Sequence, residues 1–150
     1  MRFATCFIAT SLLLGGCARV NDMGLRMVST SADAYAIVNG QLLNGSVTLI
    51  PDRTGRFSLA ADQGPVTSCS GAMRNTASNA GTMDLHCNDG TDMQLHFALI
   101  TETRGYAYGR DEKTSASLAF GLPPQDAIAY LRAPEGKKLS AGADGNLQLQ

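Results

Sequence analysis

The chain has 150 residues, with 12 Lys+Arg against 13 Asp+Glu for a net charge of −1, and 44% of it is hydrophobic. That balance excludes the strongly basic surface of a nucleic-acid binder, and the length suits one domain. Tryptophan is absent and glycine reaches 16. With Ser, Thr, Asn and Ala also abundant, the composition fits a turn-rich all-β protein.

Arg2 precedes an apolar run that starts at Phe3 and closes on Leu12-Leu13-Leu14-Gly15-Gly16-Cys17. A basic start, a short apolar core and small residues at a cut make a secretory signal. The run is too short to cross a bilayer, which takes about 20 residues. Leu14-Gly15-Gly16-Cys17 resembles the lipobox of bacterial lipoproteins. The resemblance implies lipid on the Cys17 sulfur, cleavage before Cys17 and acylation of the new amine. Residues 1–16 would then be a signal peptide, leaving eleven basic and thirteen acidic side chains, net −2. By analogy with lipoprotein sorting, Ala18 after the cysteine, rather than an aspartate, implies an outer-membrane address facing the periplasm. The expected partners are the membrane, through the lipid, and an envelope protein or peptidoglycan.

Four cysteines thereby reduce to two, since Cys6 leaves with the signal and Cys17 carries lipid. Cys69 and Cys87 remain in an oxidising compartment and are expected to form one disulfide. The close Cys-x-x-Cys spacing of a redox pair is absent. A loop of this length contributes on the order of 3 kcal/mol by the chain-entropy model.

Residues 17–32 read as a polar tether, with packing of Met23, Leu25, Met27 and Val28 as a first strand the alternative. Residues 33–133 read as a β-domain. Tyr35-Ala36-Ile37-Val38 precedes Asn39-Gly40, and Leu42-Leu43 precedes Asn44-Gly45; both Asn-Gly pairs signal a turn or bulge. Val47–Ile50 and Phe57–Ala60 flank Pro51-Asp52-Arg53-Thr54-Gly55. Placing Gly55 as the left-handed residue of a bulged turn pairs Asp52 with Arg56, Leu49 with Leu59 and Val47 with Ala61.

Around Asn88-Asp89-Gly90 a two-residue turn would set Leu85 opposite Gln94 and Met83 opposite His96. A three-residue loop bulged at Gly90 pairs Cys87 with Thr91. It then pairs Leu85 with Met93, Met83 with Leu95, Gly81 with Phe97, Asp84 with Gln94 and His86 with Asp92. A one-residue slip exchanges the faces of a strand, so the bulged loop is predicted. Gly105–Gly109 and Ser117–Gly121 flank the charged loop Arg110-Asp111-Glu112-Lys113 and read as a third hairpin. Pro123-Pro124-Gln125-Asp126 opens a short helix through Tyr130-Leu131, with Ile128 and Leu131 docking it on the sheet, and Ala133-Pro134 stops it. Residues 134–150 read as a loose tail. The expected fold is a small antiparallel β-barrel or sandwich of about seven to eight strands with one short C-terminal helix.

His86 and His96 both point outward in this register, but His96 pairs with Thr82. They then lie four strand steps apart, about 13 Å, too far to share one metal ion. His86 beside Asp92 is a wet cross-strand pair, and Asp89 is explained by its turn. Neither a nucleophile elbow, a phosphate loop nor a His-Glu-x-x-His helix is present, so no catalytic set, metal site or cofactor is expected. Tyr106 and Tyr108 share one strand face between glycines and form the candidate binding patch, for stacking or sugar contact. Cys69-Ser70-Gly71 and Cys87-Asn88-Asp89-Gly90 are similar to short patterns in small, mostly uncharacterised bacterial lipoproteins, which implies a disulfide-pinned β-domain and no activity. The expected role is an envelope lipoprotein acting by contact. One alternative is a ligand-binding module such as a lysozyme inhibitor, since inhibitors of that class include small, lipid-anchored, disulfide-bearing β-barrels; the resemblance is of size and architecture. The other is a hydrolase with dispersed residues, which would need a concave pocket holding His86 or His96 beside a serine and a carboxylate.

Overall fold

Strands here arise where apolar and polar residues alternate, so that one face of each strand can be buried. The computed structural model describes residues 29–143 and 145–150. Cys17, Met23, Leu25, Met27 and Val28 lie outside them. Eight strands follow one another: β1 (Thr30–Val38), β2 (Gln41–Ile50), β3 (Thr54–Ala60), β4 (Ser68–Asn75), β5 (Ala80–Cys87), β6 (Asp92–Thr101), β7 (Arg104–Arg110) and β8 (Ser115–Phe120). Each pairs antiparallel with the next, and β1 pairs with β8 through Ala36↔Leu118, closing a barrel. The chain enters at Thr30, so β1 takes in the last residues of the expected tether.

An eight-stranded barrel has an interior just wide enough for side chains to fill. Leu43, Val47, Phe57, Leu59, Met83, Leu85, Leu95, Phe97, Leu118 and Phe120 fill it, each 3% exposed or less. Small residues, Ala34, Ala36, Ala107 and Ala116, sit among the large ones. At one end Val66 plugs the interior from the β3–β4 loop. The Gln41 side chain holds it there, donating to the Val66 carbonyl at 2.6 Å and accepting its N–H at 3.1 Å.

The β5–β6 hairpin has the bulged register read from the sequence. Leu85 faces Met93, Met83 faces Leu95, Gly81 faces Phe97 and His86 faces Asp92. The Cys87 N–H donates to Thr91 O at 2.9 Å, and Gly90 takes φ +87°. Asn39-Gly40 is a two-residue turn with φ +51° and +81°, as β-hairpins favour. The third hairpin joins Arg110 to Ser115.

The β2–β3 hairpin differs from expectation. Its ladder runs Ile50↔Thr54, Leu49↔Gly55 and Val47↔Phe57, not Asp52 with Arg56. Arg53, at φ +66°, takes the left-handed place expected of Gly55. Gly55 lies inside β3, where Met73 from β4 occupies the space of a side chain: a Cβ there would come within 2.7 Å of its sulfur. The expected turn at Asn44-Gly45 is also absent, because both residues continue β2 and pair with Ala60 and Leu59.

After β8 the chain turns back across the outside of the barrel. Pro124–Ala127 form one turn of helix, α1, continued as a 3-10 turn over Ile128–Tyr130. The tail at 134–150, expected to be loose, contains a hairpin of β9 (Leu139–Ala141) and β10 (Leu147–Leu149). Leu147, 3% exposed, packs with Leu122, Ala127 and Leu131 on the outer side chains Tyr35, Ile37 and Ala119. Three leucines are few for seventeen residues, but their spacing gives this hairpin one apolar face.

Candidate functional site

Register places the candidate residues before any contact is considered. His96 faces Tyr108 across β6–β7, Tyr108 faces Ser117 across β7–β8, and Ser117 faces Ile37 across β8–β1. One row therefore crosses the outer surface from His96 to Ile37. Two residues along, Tyr106 faces Ala98 and Ala119. Tyr106 and Tyr108 thus share the outer face, as their alternate spacing requires, with ring centres 5.5 Å apart.

The segment after α1 adds two groups that the strand pattern does not reveal. Tyr130 stacks on Tyr106, with centroids 4.8 Å apart and planes 19° from parallel. The Arg132 guanidinium carbon lies 4.6 Å from the Tyr108 ring centroid, within reach of a cation–π contact. Ser117, 1% exposed, fixes this crossing: its Oγ accepts the Arg132 backbone N–H at 2.9 Å. Burial pushes the Tyr108 phenol above its usual range, against an opposing pull from the Arg132 charge. The only advance sign of the pair was an aromatic residue in the last turn of the expected short helix and a basic residue just past it.

Beside this aromatic ledge runs a groove of about 520 Å³ lined by His96, Tyr108, Arg110, Ser115, Arg132 and Glu135 among others. It brings together a histidine, two serines (Ser115 and Ser117) and a carboxylate. Nucleophilic catalysis needs base and nucleophile in hydrogen-bond reach, with a third group orienting the base. His96 makes no hydrogen bond to Ser115, Ser117 or Glu135.

The remaining candidates stay apart from the groove. His86 Nδ1 lies 3.0 Å from Asp92 Oδ1, both side chains well exposed. Asp89 accepts the Thr91 N–H at 3.0 Å and the Thr91 hydroxyl at 2.9 Å, closing its own turn. Asp84 accepts from the Gln94 amide. Among the described residues no three His, Cys, Asp or Glu side chains gather as metal ligands. Cys69 and Cys87 are register partners on β4 and β5 and are joined by a disulfide, with Cα atoms 4.0 Å apart. No family model, no curated protein and no solved structure matches the chain.

Proposed function

We propose that this chain is a bacterial envelope lipoprotein, held by lipid on Cys17 at the outer membrane facing the periplasm, that works by contact through its Tyr106–Tyr108–Tyr130–Arg132 face. The lipobox-like Leu14-Gly15-Gly16-Cys17 supports the anchor. The observation that carries the contact reading is the contrast between the two surfaces of the barrel. Its interior is filled by its own side chains, whereas stacked tyrosines and a guanidinium line the outer surface. Tyrosine and arginine are the residue types enriched where protein surfaces make strong contacts.

In-cell cross-linking of the full lipoprotein, with a Cys17→Ser control, tests this reading. A dominant partner that depends on the lipid and is lost on Tyr106→Ala is expected. Acyl chains still present by mass on Cys17→Ser would overturn the anchor. A partner profile identical to the control would overturn the contact role.

Two specific observations support second readings. A small closed barrel with one disulfide matches the architecture expected of a lysozyme inhibitor, and a lysozyme activity assay with added protein decides that case. His96, Ser115 and Glu135 in one groove meet the membership, though not the hydrogen bonding, of a hydrolase site. Turnover of an ester or wall polymer that disappears on His96→Ala would establish that alternative.

A further inference from the structure

The groove beside Tyr108 has an unbalanced set of charges. Arg110, Arg132 and Glu135 are among its lining residues, two positively charged and one negatively charged. Among the described residues, neither arginine has a carboxylate at ion-pair distance. Arg132 is nevertheless held in place, its backbone pinned by Ser117 and its guanidinium laid on the Tyr108 ring. A guanidinium in that position keeps its planar fork of N–H donors, which fits a carboxylate with two parallel hydrogen bonds. Ile37, Ala116 and Pro134 add apolar lining, and the Tyr106–Tyr130 stack continues the surface alongside. The volume falls in the range of about 300–1,000 Å³ that small-molecule sites occupy.

Resting on the proposed contact role, we infer that this groove binds a carboxylate-bearing muramyl peptide, an amino sugar joined to a short acidic peptide. Arg132 takes its one free carboxylate with two parallel hydrogen bonds, and Arg110 adds positive charge beside it. The tyrosine ledge takes the face of its sugar ring, and Glu135 accepts an amide N–H. Glu135 adds one negative charge to the groove lining, which weighs more against a doubly charged phosphate than against a singly charged carboxylate. Binding is non-covalent throughout.

Calorimetric titration of the full mature chain in detergent micelles with N-acetylmuramyl-L-alanyl-D-isoglutamine tests the inference. Saturable binding is expected, weakened about tenfold or more by Arg132→Gln, the effect of losing one charge-assisted bidentate contact. N-acetylglucosamine oligomers, which lack the carboxylate, are expected to bind at least tenfold more weakly. An unchanged melting temperature of Arg132→Gln, with Arg110→Gln as a second variant, separates lost contact from lost fold. Absence of saturable binding at millimolar ligand would overturn the inference. So would equal affinity for inorganic phosphate, or full affinity in both arginine variants. If the peptide fails to bind while the lipid-dependent cross-linked partner persists, the ligand assignment falls and the contact role stands. If both are absent, both fall.

Discussion

Strands β3 to β7 keep one face toward solvent, whereas β1 over Ala34–Val38 and β8 over Ala116–Phe120 are buried on both faces. Inward, their alanines, Val38, Leu118 and Phe120 join the barrel core. Outward, Tyr35, Ile37 and Ala119 lie under Leu122, Ala127, Leu131 and Leu147. The doubly covered pair is the seam where the first and last strands close the ring. That pairing spans the greatest chain separation in the barrel and carries the largest loop-closure cost. The C-terminal segment thus lies over the joint that is entropically hardest to make, adding apolar burial where the ring needs it. The same segment brings Tyr130 and Arg132 to the outer surface, so closing the barrel and building the candidate site depend on one folding event.

Removing packing from the inner side of the seam should have the largest effect. Phe120→Ala is expected to cost about 3–5 kcal/mol, read as a fall in the denaturant midpoint at constant slope. A loss below about 1 kcal/mol would mean that the seam is not a main support. Next in size, Cys69→Ala opens a disulfide of sequence separation 18 between β4 and β5. It should cost about 3 kcal/mol or prevent folding; an unchanged melting temperature would show that the disulfide adds no stability.

Leu131→Ala acts on the outer layer and is expected to cost about 2 kcal/mol. Hydrogen exchange should accelerate in β1 and β8 while β5 and β6 stay protected. Equal acceleration in all eight strands would erase the distinction between seam and ring. The smallest effect concerns pH. Burial and then the Asp33 charge push the Tyr35 phenol up, and burial pushes Tyr108 up, each from 10.0. A group raised in the fold stabilises it fully below its unfolded pKa and stops doing so as pH climbs past its folded one. The outer layer should therefore loosen above about pH 10, with Tyr130 fluorescence and exchange in β9–β10 changing before the barrel melts. Simultaneous loss of both would contradict a separable outer layer.

How much of this was legible depended on whether each feature was local. The β5–β6 register follows from Met83, Leu85, Met93 and Leu95 alternating with Asp84, His86, Asp92 and Gln94, since only one pairing keeps the two sets apart. The β2–β3 register was missed because glycine was given the left-handed turn position. Arginine holds it, and Gly55 is required instead by Met73 on β4. Both registers keep the same residues on the same faces, so alternation could not separate them. Asn44-Gly45 carried a turn signal that pairing on both sides of β2 overrides. Tyr106 and Tyr108 could be placed on one face by period alone. Tyr130, Arg132 and the clasp of Gln41 on Val66 depend on chain segments returning from elsewhere, which no local pattern specifies. The apolar stretch at 34–38 and the near-continuous one at 116–120, interrupted only by Ser117, were the sequence mark of the seam, because two-sided burial removes alternation.

Closing the ring also determines how this protein behaves in a crowd. Every one of the eight strands has both neighbours, so the barrel offers no row of unpaired backbone groups on which another chain could template a strand. Molecules confined to a membrane surface meet one another far more often than the same number dispersed in solution. In the membrane-anchored setting proposed above, the ring can be packed densely without its eight strands seeding fibrils, and the ring's associations are left to side chains, which can be tuned one substitution at a time.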